Sequence, residues 1–188
     1  MTAFSIDAIE PDQLEAEKAV LGEMIHACVH AGASIGYILP YSIEDGVAFW
    51  ETRILPRLRG GGLVMLAARD GGRIVGTVQL DHDTPPNQPH RAEVRKLMVH
   101  PAFRRRGLAR ALMVRIEDEA RRLGRFLLTL DTRTGDAAEP LYASLGYETT
   151  GIIPGYCLDP FEPKFDSTTI MYKRLRPGED DAAAARRH

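Results

Sequence analysis

The sequence predicts an α/β (α+β) domain: one mixed, mostly antiparallel sheet of about six or seven strands, flanked by helices. Three observations carry that expectation. Strand-like runs at 63–68 and 73–80 are joined by Asp70-Gly71-Gly72, a strong hairpin signal. Residues 94–123 begin as a strand, turn at Pro101, and pass through Arg104, Arg105, Arg106 and Gly107 into a helix. From there the pattern runs strand, short helix, strand, strand, as expected of helices laid on a sheet.

Taken in order, Phe4, Ile6 and Ala8 alternate with polar neighbours and predict a first strand. Pro11 and Asp12 open a helix expected to reach about His30, with Leu14, Ala19, Val20, Met24 and Cys28 near helical spacing. The segment 30–36, HAGASIG, breaks it with two glycines, and 37–39 is short and apolar. A second helix starts after Ser42 and carries Val47, Trp50 and Ile54; Pro56 bends or ends it, and Gly60-Gly61-Gly62 punctuates the chain. After the hairpin comes a polar, proline-rich loop at 81–90, then a strand at 92–99. The helix that follows buries Leu108, Leu112, Ile116, Ala120 and Leu123, and pairs Glu117 with Arg121 and Asp118 with Arg122 on its solvent side. A strand at 126–130, a loop at Thr134-Gly135-Asp136 and a short helix ended by Gly146 come next. Two last strands, 147–152 and 168–174, are expected to flank a loop that begins PGYC. Residues 1–175 read as one domain and 176–188 as a disordered tail.

A chain of 188 residues can bury a core without staples. Its net charge of −2 argues against a backbone-binding nucleic-acid protein. Cys28 and Cys157 form no CxxC pair, which fits a reducing compartment. The acidic start lacks the apolar segment of a signal peptide, and no run is long enough to span a bilayer, so the expected location is the cytoplasm with no membrane partner. His82, Asp83 and His90 lie in a proline-rich loop without a fourth ligand, so no metal is expected.

The chemistry concentrates at Arg104 to Ala109, which fits R-x-x-G-x-A at a strand-to-helix turn. The first N–H groups of a helix lack intrahelical partners, and the dipole there is positive. Small residues at Gly107 and Ala109 let a bulky anion approach the backbone, and the arginines screen its charge. No P-loop or dinucleotide fingerprint is present.

The stretches LMVHPAFRRRGLARAL and LYASLGY, in this order and spacing, resemble the GNAT superfamily of acetyl-CoA-dependent N-acetyltransferases over residues 63–175. A narrower likeness, to the tabtoxin-resistance acetyltransferases, rests on HAGASIGY, NQPHRAEVRKLMVHP, LLTLDTRTGDAAEPLYASLGY and IIPGYC, between His30 and Cys157. The resemblance implies a GNAT fold whose fourth and fifth strands splay apart. It implies acetyl-CoA as co-substrate, its pyrophosphate on Arg104, Arg105, Arg106, Gly107, Leu108, Ala109 and Arg110, and its pantetheine along Leu97, Met98 and Val99. It also implies a small, amino-acid-like amine as acceptor, a β-lactam toxin or antibiotic among the candidates, and a role in toxin resistance. The chain would then act as a monomer or homodimer with a small molecule as its partner.

Three residues are candidates for the transfer itself. Tyr142, on the short helix, is implied to protonate the departing sulfur, since a free thiolate is a poor product in a dry site. Glu93 is a candidate base for the acceptor ammonium; in an unbroken strand it shares the apolar parity of Leu97 and Val99, which a bulge or an opening to the cleft would explain. Asp131 ends the fifth strand and would hold the ammonium or share the base role, or else form a turn. The N–H of Val99 would face the oxyanion. His30 and Ser34, with Tyr156 in PGYC, are candidate acceptor-wall residues. Cys157 has no neighbouring histidine or carboxylate and reads as a packed thiol. The rival readings are a protein N-terminal or lysine acetyltransferase, which needs an open peptide groove, and a non-catalytic acyl-CoA-binding module.

Overall fold

The structure, a computed structural model, describes residues 4–175; the expected tail lies outside them. Seven strands form one sheet in the order β1-β2-β3-β4-β5-β7-β6. The chain runs β1 (Ser5–Ala8), α1 (Pro11–His30), α2 (Ile43–Phe49), a π-helical turn (Trp50–Ile54), α3 (Leu55–Arg59), β2 (Leu63–Asp70), β3 (Arg73–Asp81) and β4 (Arg91–Val99). A 3₁₀ turn (Pro101–Phe103), α4 (Leu108–Arg122), β5 (Leu127–Arg133), α5 (Ala138–Ser144), β6 (Glu148–Leu158) and β7 (Phe165–Arg174) complete it. Only β4 and β5 pair in parallel, as expected where a helix crosses between them; the other pairs are antiparallel.

The local signals act where the sequence puts them. Pro11 takes the first turn of α1, and the Glu10 N–H donates to Gln13 Oε1 at 2.9 Å. Ser42 and Asp45 cap α2 reciprocally. The second helical run carries Val47, Trp50 and Ile54 as expected and continues past Pro56 to Arg59; a π-helical turn joins α2 to α3, and Pro56 sits in the first turn of α3. Gly71 and Gly72, at φ 58° and 85°, make the β2–β3 turn that a side chain would strain.

Both faces of the sheet are covered. Met65 and Ala67 face α1 and the helices after it, while Leu66 and Ala68 face α4. The α4 stripe is as the periodicity predicts, with Leu108, Leu112, Ile116 and Ala120 all buried; each large side chain of this kind contributes roughly 1.5–3 kcal/mol on burial. One face of α4 differs from expectation. Glu117 is buried, and its carboxylate accepts from Lys173 of β7 at 2.7 Å as well as facing Arg121 at 3.5 Å. Asp118 pairs with Arg121 rather than with Arg122, and Arg122 pairs with Glu119, both at three-residue spacing.

β4 and β6 carry irregularities that shape the site. Between β3 and β4, Thr77 faces Met98 and Gln79 faces Arg95, so three steps on β4 oppose two on β3. The extra residue is Lys96, at φ 50°. This bulge shifts the parity: Ala92 and Val94 share the α4 side with Leu97 and Val99, and Met98 joins the opposite core. Glu93 therefore does not share the face of Leu97 and Val99. The final hairpin is also longer than expected. PGYC is not a loop but the end of β6, where Ile153 faces Thr168 and Cys157 faces Asp166. Proline is tolerated there because β6 is the outermost strand.

Candidate active site

β4 and β5 share only three rungs, Arg91–Leu127, Ala92–Leu128 and Glu93–Thr129. Beyond Glu93 the strands part, and β5 pairs on its other side with β7 through Arg133–Thr168. The gap opens into a groove of about 640 Å³. Its floor is the 94–99 run of β4, one wall is the 31–36 segment after α1, and the other holds Asp131, Tyr142 and Tyr156.

At one end lies the turn into α4. Gly107 occupies the N-cap position at φ 83°, a left-handed conformation that suits glycine, and no side chain caps the helix there. The first-turn amides of α4 are thus open to an anion. Arg104, Arg105 and Ala109 line the groove. Other members of the expected anion site are engaged elsewhere. Arg106 faces Asp70 at 3.3 Å and stacks over Phe103, Leu108 is in the core, and Arg110 donates to Ser144 at 2.7 Å.

Along the floor, the His100 N–H donates to Val75 of β3 at 2.8 Å. Alternation along a strand then turns the amide and carbonyl of Val99 away from β3 and toward the gap. The Val99 carbonyl accepts there from Arg104 Nε at 3.3 Å and Cys28 Sγ at 3.6 Å. Burial pushes the Cys28 thiol up to about 11, against a smaller opposing effect of Arg104, so it is a packed thiol rather than a nucleophile. Leu97 and Met98 also line the floor.

Toward the other end stands Tyr142, carried by α5 and 7% exposed. Burial, with the charges of Asp131 and Asp136, pushes its phenol well above the ordinary tyrosine range and keeps it protonated. Asp131 is exposed and lines the groove, with its carboxylate 3.4 Å from the Thr168 hydroxyl, which also reaches the Thr132 carbonyl at 3.0 Å. Ser34 and Tyr156 line the same space, and Ser34 Oγ lies 3.7 Å from Cys157 Sγ.

Of the expected catalytic and acceptor-wall residues, two do not line the groove. His30 is exposed, with its Nε2 3.0 Å from the Tyr41 carbonyl beside His26 Nδ1 at 2.8 Å. It holds the segment that follows α1 rather than lining the wall. Glu93 sits at the closed end of the gap, 3.7 Å from Arg95, in a row of charges that continues through Asp81 to Arg57.

Two residues without a local sequence signal, Lys96 and Arg133, also belong here. Lys96 lines the floor at the bulge. Arg133 ties the walls together: it donates to the Gly32 carbonyl at 3.1 Å and faces Asp136, Asp159 and Asp166 at 3.4 to 3.5 Å. That joins the 31–36 segment, the start of α5 and the β6–β7 hairpin on one guanidinium. Among the described residues, no group of three or more His, Cys, Asp or Glu side chains is placed to hold a metal ion, and no helix is long and apolar enough to cross a membrane.

With this geometry in hand, likeness to known proteins points one way. A model described as the acetyltransferase (GNAT) family matches residues 36–147. An N-acetyltransferase from the hisH–hisA intergenic region of Azospirillum brasilense is 32% identical over 114 residues, 60% of this chain and 66% of the relative. The L-methionine sulfoximine/L-methionine sulfone acetyltransferase of Salmonella typhimurium is 28% identical over 130 residues, 69% of this chain and 72% of the relative. The chain thus spans about two thirds of the length of these relatives. Among solved structures, yncA from Salmonella typhimurium, determined with its cofactor acetyl-CoA, superposes with a TM-score of 0.75 at 23% identity, covering 95% of this chain and 97% of that one. This last likeness is one of fold.

Proposed function

Because the chain belongs to the acetyltransferase (GNAT) family, we propose that it moves an acetyl group from acetyl-CoA to a primary amine of a small, amino-acid-like molecule by direct transfer. One observation carries the reading: β4 and β5 part after three rungs, opening a groove from the arginine turn to Asp131 and Tyr142. Such a gap suits an extended arm with an anionic head, which is the shape of the co-substrate.

Acetyl-CoA supplies the activated acetyl thioester. The open amides at the start of α4, with Arg104 and Arg105, hold its phosphates. The floor at Leu97, Met98 and Val99 orients the arm. Asp131 holds the acceptor and takes the proton that the amine must shed before it attacks. The N–H of Val99 faces the place where charge develops on the carbonyl oxygen. Tyr142, kept protonated by burial, gives its proton to the sulfur as the bond to carbon breaks.

Two features support a small acceptor. The 31–36 segment and Tyr156 both line the groove, and that segment is tied to the β6–β7 hairpin through Arg133 and through Ser34 and Cys157, which narrows the room for an extended peptide. The Salmonella relative is named for amino-acid-like acceptors. The likeness to the tabtoxin-resistance enzymes adds β-lactam amino acids to the acceptors to be tried.

The test is release of CoA thiol from acetyl-CoA with amino acids, methionine sulfone, methionine sulfoximine, β-lactam amino acids, polyamines, aminoglycosides and short peptides. Turnover is expected with the amino-acid-like group. Turnover with peptides alone would make the protein a protein acetyltransferase, and tight CoA binding without thiol release would make it a binding module.

The division of labour at the turn gives a second expectation. Arg104→Ala and Arg105→Ala should each raise the KM for acetyl-CoA by about 5–30-fold, as charge-assisted contacts to phosphate are lost. Arg106→Ala, whose guanidinium is already held by Asp70 and Phe103, should change it by less than about threefold. Equal effects of all three in steady-state kinetics would refute this assignment.

A further inference from the structure

Lys96 stands in the groove and takes no part in the transfer just described. The β4 bulge places it at φ 50°, a conformation that a lysine adopts at a cost. Its Nζ donates to the Ile35 carbonyl at 2.5 Å, and the rings of Tyr37 and Phe49 lie 5.6 and 5.7 Å from it. The rings tolerate a cation, and the carbonyl fills one of its three donors, but neither neutralises it. Among the described residues no carboxylate stands within ion-pair reach of it.

Burial and the neighbouring Arg95 push this ammonium down to about 8, while the charges of Asp131 and Glu93 act to keep it protonated. A half-buried cation without an anion is costly, and Lys96 is among the residues that line the groove. Asp131, on the neighbouring strand of the same groove, supplies the opposite charge. A cation and a carboxylate in one small groove match the two ends of a zwitterion.

We propose that Lys96 sets acceptor specificity: its Nζ receives a carboxylate of the acceptor, whose amine lies against Asp131. The proposal rests on the small-amine reading above and narrows it to amines that also carry a carboxylate. It gives the bulge a purpose, since a regular strand would have turned residue 96 to a different side. It also assigns a task to the aromatic pair, whose ring faces stand beside the ammonium and tolerate its charge without neutralising it.

The experiment compares wild type, Lys96→Met and Lys96→Arg on L-amino acids and on the same amino acids as carboxamides. Lys96→Met keeps an unbranched stem and removes the charge together with the hydrogen bond to the Ile35 carbonyl. Wild type is expected to prefer the acids. Lys96→Met should raise the KM for the acid by about 10–100-fold, with kcat, the KM for the carboxamide and the KM for acetyl-CoA each changed by less than about threefold, and a thermal midpoint at or above that of wild type. Lys96→Arg should retain part of the preference for the acid. Equal losses on acid and carboxamide would mean that Lys96 handles the amine proton or merely holds the 31–37 segment, and would overturn the proposal. So would a wild type that takes both series alike. A wild type inactive on both series removes the small-amine reading, and this proposal with it.

Discussion

Tyr142→Phe is expected to lower kcat by about 10²–10⁴-fold, the usual worth of a positioned general acid, while acetyl-CoA affinity measured by titration stays within about twofold. The substitution removes one oxygen and leaves the ring packed as before, with its centroid 5.9 Å from that of Tyr147. A loss of turnover therefore reports chemistry rather than a collapsed site. The charges that raise the Tyr142 pKa also define its pH behaviour. Burial, Asp131 and Asp136 all favour the protonated phenol. An acid held above its ordinary value of about 10 stays loaded through neutral and mildly alkaline conditions. Any fall in kcat below about pH 10 should then persist unchanged in the residual activity of Tyr142→Phe. Full turnover in the variant would remove the acid role.

The second large effect is expected at Asp131. Asp131→Asn should lower kcat/KM for the acceptor by about 10²–10³-fold at saturating acetyl-CoA, because it removes both the charge that holds an ammonium and the acceptor for its proton. Glu93→Gln should cost less than about threefold. The contrast follows from where the two carboxylates point. Asp131 lines the groove, with the Thr168 hydroxyl 3.4 Å from its carboxylate. Glu93 sits on the last rung before the strands part and faces Arg95. Steady-state kinetics of the two variants decide between them, and a larger loss in Glu93→Gln would reassign the base.

What the sequence makes legible is what short-range rules encode. The β2–β3 turn needs positive φ, and two glycines announce it. The α4 stripe repeats within the helix itself. The arginine turn carries its own small residues and its own helix start, so its place in the fold can be read from a few positions. The features that escaped are set by distant partners. The bulge at Lys96 comes from the register of β4 against β3, and only a slip in the apolar alternation across Arg95 and Lys96 hints at it. Arg133 reads as an ordinary loop cation because its partners, at Gly32, Asp159 and Asp166, lie on other segments. Glu117 sits at an exposed-looking spacing, yet Lys173 of β7 comes down to meet it. Pro154 and Gly155 read as strand breakers, and they do interrupt the register, but on an outer strand they do not end it.

That outer strand has a consequence for how the protein behaves in a crowd. β6 presents one row of backbone donors and acceptors to solvent, with Ile152, Ile153, Tyr156 and Leu158 exposed beside it. A long, flat edge of this kind is a template on which another chain can add a strand. Pro154 withholds a donor, Gly155 turns at φ 60°, and four steps on β6 oppose two on β7 between Ile153 and Cys157. The kink that delivers Tyr156 and Cys157 to the groove is thus also what spoils the edge for strand addition. Straightening β6 to reshape this wall would remove the interruption at Pro154 and Gly155 and leave a continuous edge open to another strand.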